Sequence, residues 1–145
     1  MNKVVTHEQS ILSSMSNDKI DLVRSIEIEA IKYPQAALET SHTFHAGVYA
    51  RTIFLPAGMM ITGALIKIPT TVITSGNLLA YTDDGVVELH GYMVMKAEAN
   101  RKQVFVAKSD SFITMFFATS AATVEEAERE FTDEYSLLLT SRERV

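Results

Sequence analysis

Residues 77–95 read NLLAYTDDGVVELHGYMVM, and this stretch predicts a β-hairpin. Asp84-Gly85 lies between two apolar runs, and a tight hairpin turn needs residues that tolerate positive φ. The period-two alternation recurs on both sides of the hairpin, in VYARTIFL (48–55), RKQVFVAK (101–108) and DSFITMFFAT (110–119). A further long strand is predicted over 59–69, with Gly63 marking a bend. About seven short strands at regular spacing are typical of a sandwich or barrel.

Helical patterns flank the β-rich part on both sides. Polar residues 16–18 are candidate N-caps of a helix over 19–31, although the alternation in 25–30 also fits a strand. Thr123 followed by Glu126 fits a capping box, and a further short helix is predicted beyond it. The chain is therefore divided into an N-terminal arm and helix (1–40), a β-barrel (41–120) and a C-terminal helical segment (121–145), forming one structural domain.

Composition and charge restrict the function classes. The chain has 145 residues, of which 47% are apolar and 21% charged, as in ordinary soluble globular domains. A net charge of -5 with dispersed basic residues argues against a nucleic-acid partner. The absence of cysteine excludes disulfides, thiolate metal sites and a cysteine nucleophile. No apolar run approaches the ~20 residues that span a bilayer, so we expect a soluble, cytoplasmic protein without a membrane partner.

Several short motifs together resemble a known family. They are HTFHAGVYAR (42–51), LPAG (55–58), Gly63 and TDDG (82–85), and the similarity covers about residues 40–120. This joint pattern resembles small cupin-like proteins of bacteriophages and prophages. The resemblance implies a mainly β fold, a cupin-like jelly roll (double-stranded β-helix), carrying the N-terminal helix and short C-terminal helices. It also implies a cytoplasmic location in a bacterial host, with association with the virion as an alternative.

The resemblance also implies where a metal would bind. In such relatives a G-x-x-H-x-H-x-H segment and a late-strand histidine hold a divalent metal inside the barrel. The matching positions here are Ile66, Ile68, Thr70 and Phe117. None of these side chains can replace an imidazole ligand, and no histidine lies between His45 and His90. We therefore expect no metal and no other cofactor, and a barrel interior that serves as core.

Four residues form the candidate ligand site at the barrel mouth. Tyr49 and Arg51 share one strand face, and an arginine among apolar neighbours needs an acidic or carbonyl partner. Arg51 is expected to make a structural pair across a subunit interface, with an anionic ligand as the alternative. His42 is expected to order the loop entering the barrel by hydrogen bonding. His90 is expected to be a solvated residue on the polar face of the hairpin. No catalytic residue is assigned.

Two other arrangements stay open. Arg101-Lys102 is interpreted as a solvated turn, and the alternative is a site for a phosphate-type ligand. His42 and His45 could form a metal pair with His90 as a third ligand. Their spacing of three does not suit one strand face, on which neighbours are two residues apart.

These features favour a non-catalytic, metal-free binding or interaction protein over an enzyme. The expected partners are a second copy of the chain, most simply as a homo-dimer, and a small molecule or another protein. The alternative is a small-molecule sensor, or a metal-independent enzyme, that uses the barrel mouth.

Overall fold

The computed structural model describes residues 11–138, which form two β-sheets with a helix at either end of the chain. The elements in chain order are β1 (Ile11–Leu12), α1 (Asn17–Ala30), β2 (Thr40–His45), β3 (Val48–Leu55), β4 (Met60–Thr62), β5 (Thr70–Ser75), β6 (Asn77–Thr82), β7 (Gly85–His90), β8 (Met93–Ala97), β9 (Val104–Ala107), β10 (Ser111–Ala118), α2 (Val124–Phe131) and a 3₁₀ turn (Tyr135–Leu137). Within these residues, no helix is both long and apolar enough to cross a membrane.

The two sheets form the walls of a jelly roll. One has six strands in the order β1-β8-β5-β10-β3-β2, and the other has four in the order β4-β9-β6-β7. Neighbouring strands are antiparallel except β1 and β8. Leu55, Val72 and Ile113 of the larger sheet share one buried cluster with Leu78 and Ala107 of the smaller sheet. The mainly β jelly roll predicted from the sequence is thus confirmed.

The first part of the hairpin predicted from residues 77–95 is present as β6 and β7. Its last part is wrong, because the chain leaves the strand at Gly91 (φ +72°) and residues 93–95 belong to β8, which pairs with β5 in the larger sheet. Gly85 has a φ of +100°, in the region that favours glycine. The Thr82 hydroxyl donates to the Gly85 carbonyl at 2.8 Å and accepts the Asp84 N–H at 3.2 Å. Asp83 accepts the Ser16 N–H at 2.7 Å, so the turn also holds the start of α1.

The strand predicted over 59–69 is wrong beyond Thr62. Residues 63–69 leave the ladder, and the C-terminal segment takes up two of their backbone donors. The Leu65 N–H donates to the Glu134 carboxylate at 2.7 Å, and the Lys67 N–H donates to the Phe131 carbonyl at 2.9 Å. Only Ile66 keeps a bridge, to Arg101. The segment is therefore a connection held under the C-terminal helix.

α1 covers the outside of the smaller sheet, which settles the helix-or-strand alternative in favour of a helix. The Ser16 hydroxyl caps it by accepting the Lys19 N–H at 3.4 Å. Ile20 and Val23 are buried in a cluster with Val104 of β9. Burial of this one helix face holds α1 against the sheet, and its last turn then reaches the open end of the barrel.

α2 closes the barrel at one end. Thr123 caps it, as the sequence predicts, by accepting the Glu126 N–H at 3.2 Å. Ala127 and Phe131 are buried against Tyr49 of β3. The helix predicted beyond α2 is a single 3₁₀ turn, and residues 139–145 lie outside the described part of the chain.

Candidate functional site

A partly open cavity of about 970 Å³ extends from the barrel strands to the end of α1. Its apolar walls come from strands of both sheets and from the connection 63–69, and include Ile53, Ile66, Val72, Phe105, Ile113 and Met115. The last turn of α1 and residues 33–36 border its outer part. The barrel interior was expected to serve as core, and it does so in part, since Val72 and Ile113 on the cavity wall also belong to the buried cluster that joins the two sheets.

Arg51 lies at the wall of the cavity beside α2. Its Nη1 is 2.9 Å from the carboxylate of Glu128, which is completely buried. The guanidinium also lies over the Phe131 ring, 5.6 Å from its centroid. The sequence indicated that Arg51 needs an acidic or carbonyl partner, and Glu128 supplies it. This pair joins β3 to α2.

His42 and Tyr49 are joined to that pair. His42 Nδ1 lies 2.7 Å from the Tyr49 hydroxyl, and their rings stack with centroids 5.9 Å apart. Arg51 Nη1 donates to the same hydroxyl at 3.4 Å. His90 lies apart, exposed at the end of β7 opposite Asn77. Of these four predicted site residues, Arg51 lines the cavity.

The positions that match cupin metal ligands do not fit a metal. Ile66, Ile68 and Phe117 pack in the apolar cluster around Tyr49, and Thr70 is buried at the start of β5. Across residues 11–138, no three His, Cys, Asp or Glu side chains lie together in a group that could hold a metal ion. The single hydroxyl of Thr70 does not make a metal site.

Arg101 is not part of a solvated turn, because the connection 63–69 covers it and leaves it only 2% exposed. Its Nη1 donates to the Glu98 carbonyl at 2.7 Å, and its Nη2 donates to the Thr70 hydroxyl at 2.6 Å. Burial lowers the pKa of the Arg101 guanidinium to about 10, and the Glu98 carboxylate partly offsets this. The group is therefore positively charged at neutral pH, deep in the cavity wall.

Lys102 is also buried, at 1% exposed, but its charge is matched. Its Nζ lies 3.1 Å from the carboxylates of both Glu27 and Glu134 and donates to the Gly63 carbonyl at 2.9 Å. The two adjacent cations thus differ, because Lys102 sits between acidic groups of α1 and the C-terminal segment.

Gln103 was missed by the sequence reasoning. It is 6% exposed and lines the cavity, and its Nε2 has no acceptor among the described residues. Arg101, Lys102 and Gln103 precede β9, and all three line the cavity, as does Phe105 within the strand. No periodic signal in the sequence marks Gln103, because it precedes the strand.

Comparisons with known proteins show similarity at the level of structure. No protein-family model and no curated protein matches the chain. Ectoine synthase from P. lautus matches with a TM-score of 0.51 and 13% identity over 68% of this chain and 76% of that chain. A cupin-superfamily protein from Desulfitobacterium hafniense matches with a TM-score of 0.47 and 12% identity, over 61% and 83% of the two chains. The fold is that of a cupin.

The similarity also includes a double-stranded β-helix protein from Klebsiella pneumoniae, with a TM-score of 0.47 and 12% identity over 63% of this chain and 84% of that chain. At these identities the comparisons show the cupin fold alone. The function of this cupin-fold protein therefore depends on the side chains of its own cavity.

Proposed function

We propose that this cupin-fold protein is a non-catalytic binding protein that holds a small, mostly apolar molecule inside its barrel and uses no metal. The observation that carries the proposal is the cavity of about 970 Å³, with apolar side chains of both sheets on its walls. Small-molecule sites are typically clefts of about 300–1,000 Å³ lined by apolar side chains with a few polar groups. This cavity has that size and that character.

The pairing of the charged groups favours binding over catalysis. Arg51 is bonded to Glu128, and Lys102 to Glu27 and Glu134. A general acid or base must reach the proton that it transfers, and these carboxylates are engaged with cations of the protein instead. A metal-independent enzyme is therefore the less favoured alternative.

The phage or prophage setting, the host cytoplasm and an association with the virion rest on the resemblance over residues 40–120 alone. Assembly as a homo-dimer likewise stays a prediction. Neither is needed for the binding function, since the cavity is built within one chain.

The cavity is tested with N-phenyl-1-naphthylamine, an uncharged dye whose fluorescence rises in apolar surroundings. We expect saturable binding of one dye per chain. Ile53→Trp should weaken binding at least about 10-fold, because Ile53 lines the cavity and the larger indole occupies ligand space. The matched control is Phe54→Trp. Phe54 is the residue after Ile53, so its side chain points to the opposite face of the strand, where it packs on Phe112.

Fluorescence titration measures both variants, and circular dichroism checks that each is folded. Equal dye affinity in folded Ile53→Trp and wild type would place the dye outside the barrel. That result, or a complete lack of dye binding by wild type, contradicts the proposed function.

The metal-free part of the proposal has its own test. Protein is produced in medium supplemented with iron, manganese, zinc and nickel, and is purified without chelator. Elemental analysis should find no stoichiometric metal, because the ligand-equivalent side chains Ile66, Ile68 and Phe117 carry no donor atom. One metal per chain, retained after gel filtration, would contradict this prediction.

A further inference from the structure

We propose that the ligand is an amphipathic monocarboxylate, whose carboxylate binds Arg101 and Gln103 and whose apolar body fills the barrel. This inference rests on the proposed binding function and names the chemical class of the ligand. Its carriers are a buried cation without an acidic partner and a buried amide donor without an acceptor, both on the wall of the same cavity.

The charge of Arg101 is the first carrier. A buried charge is costly unless it is paired. The other two cations that line the cavity have acidic partners, since Arg51 pairs with Glu128 and Lys102 with two carboxylates. Arg101 bonds instead to uncharged acceptors, the Glu98 carbonyl and the Thr70 hydroxyl. Among residues 11–138, no carboxylate oxygen lies within 4.0 Å of the Arg101 guanidinium, the distance that defines an ion pair. The Glu98 carboxylate acts on Arg101 only from beyond ion-pair distance, so a ligand could still supply a direct counter-charge.

The amide of Gln103 is the second carrier. A buried donor without a partner costs about 1–3 kcal/mol, so such groups call for a physical explanation. Arg101 and Gln103 are two residues apart along the chain and both line the cavity, so their Cα atoms are at most about 7 Å from each other. A carboxylate carries two oxygens with several lone pairs and accepts hydrogen bonds from both directions. One carboxylate between these side chains would satisfy both.

The surroundings select a single negative charge on an apolar body. Arg101 Nη2 lies 3.8 Å from the sulfur of Met115, and Ile66 bridges the Arg101 backbone. Val72 and Ile66 also line this cavity, so the wall that Arg101 shares is largely apolar. A second negative charge, as on a phosphate monoester, would be buried there without a second free cation, which is unfavourable.

The experiment compares four probes with one ten-carbon chain and different head groups. They are decanoate, decan-1-ol, decyl phosphate and decyltrimethylammonium, titrated below their micelle concentrations by calorimetry. We expect decanoate to bind about 10- to 100-fold more tightly than decan-1-ol, because hydrogen bonds to a charged group contribute a difference in affinity of that size. Decyl phosphate and decyltrimethylammonium should bind more weakly than decanoate.

Two variants assign the effect to the named residues. Arg101→Met should lose the preference for decanoate over decan-1-ol and still bind decan-1-ol, which shows that the cavity persists. Gln103→Met replaces the amide by a side chain of similar size. It should lower the affinity for decanoate about 3- to 10-fold, because one hydrogen bond is lost, and should leave the affinity for decan-1-ol unchanged. In wild type, ¹³C NMR of carboxyl-labelled decanoate should show a lowered carboxyl pKa, because a nearby cation favours the ionised form.

Each contradicting result is distinct. Equal affinity for decanoate and decan-1-ol, tighter binding of decyl phosphate, or binding of the neutral dye without decanoate overturns the monocarboxylate and leaves the binding function standing. Failure of the dye and of all four probes overturns both. Should Arg101→Met not fold, unchanged decanoate affinity in Gln103→Met together with an unshifted carboxyl pKa overturns the inference.

Discussion

Glu128→Ala is expected to lower the free energy of unfolding by about 3–5 kcal/mol. Glu128 is fully buried and holds the guanidinium of Arg51, itself 8% exposed, at 2.9 Å. Alanine would leave that cation buried without its counter-charge, which costs more than the lost attraction alone. Urea unfolding followed by circular dichroism measures the change.

The matched control is Glu125→Ala on the same helix. Glu125 pairs with Arg129 at 3.1 Å on the exposed face, where an ion pair contributes about 0.5 kcal/mol or less. The double variant Arg51→Met/Glu128→Leu should recover most of the stability, because it removes both charges together. A loss below about 1 kcal/mol in Glu128→Ala would show that Arg51 needs no partner there.

Phe131→Ala is expected to lower the free energy of unfolding by a similar amount, about 3–5 kcal/mol. Phe131 is the last residue of α2 and is 2% exposed. Its ring meets Phe117 nearly edge-on at 6.1 Å and lies under the Arg51 guanidinium. Alanine would remove the contacts that hold α2 over the end of the barrel and would leave a void. Thermal and urea unfolding both report the loss.

Phe112→Ala serves as the comparison, since Phe112 is on β10 but is 50% exposed. Phe112→Ala should lower the free energy of unfolding by about 1 kcal/mol. The half-exposed ring of Phe112 buries much less apolar area on folding than the ring of Phe131 does. Equal losses in the two variants would contradict the view that α2 is anchored through Phe131.

Local structure was predictable because its causes lie within a few residues. Thr82, Asp84 and Gly85 build their hairpin turn from their own hydroxyl, N–H groups and positive φ. Thr123 caps α2 through the N–H of Glu126, three residues away. Both features follow from backbone groups that the neighbouring sequence must satisfy.

The candidate site was only partly predictable because its partners are distant along the chain. The sequence indicated that Arg51 needs an acid, but Glu128 lies 77 residues further on and nothing local selects it. Arg101 and Lys102 looked like a solvated turn until the connection 63–69 and the C-terminal segment were seen to cover them. Gln103 went unnoticed, since a single polar residue beside a strand has no periodic signal.

The sequence by itself determined the alternation of inward and outward residues and the kinds of side chain at the metal-ligand positions. These follow from the two-residue period of a strand and from covalent chemistry, which no fold can change. Only the tertiary structure decided that a cavity opens beside the barrel core and that Arg101 alone among the three cavity cations makes no ion pair within residues 11–138. Those properties depend on which remote segments pack together, and that is a matter of global packing rather than local preference.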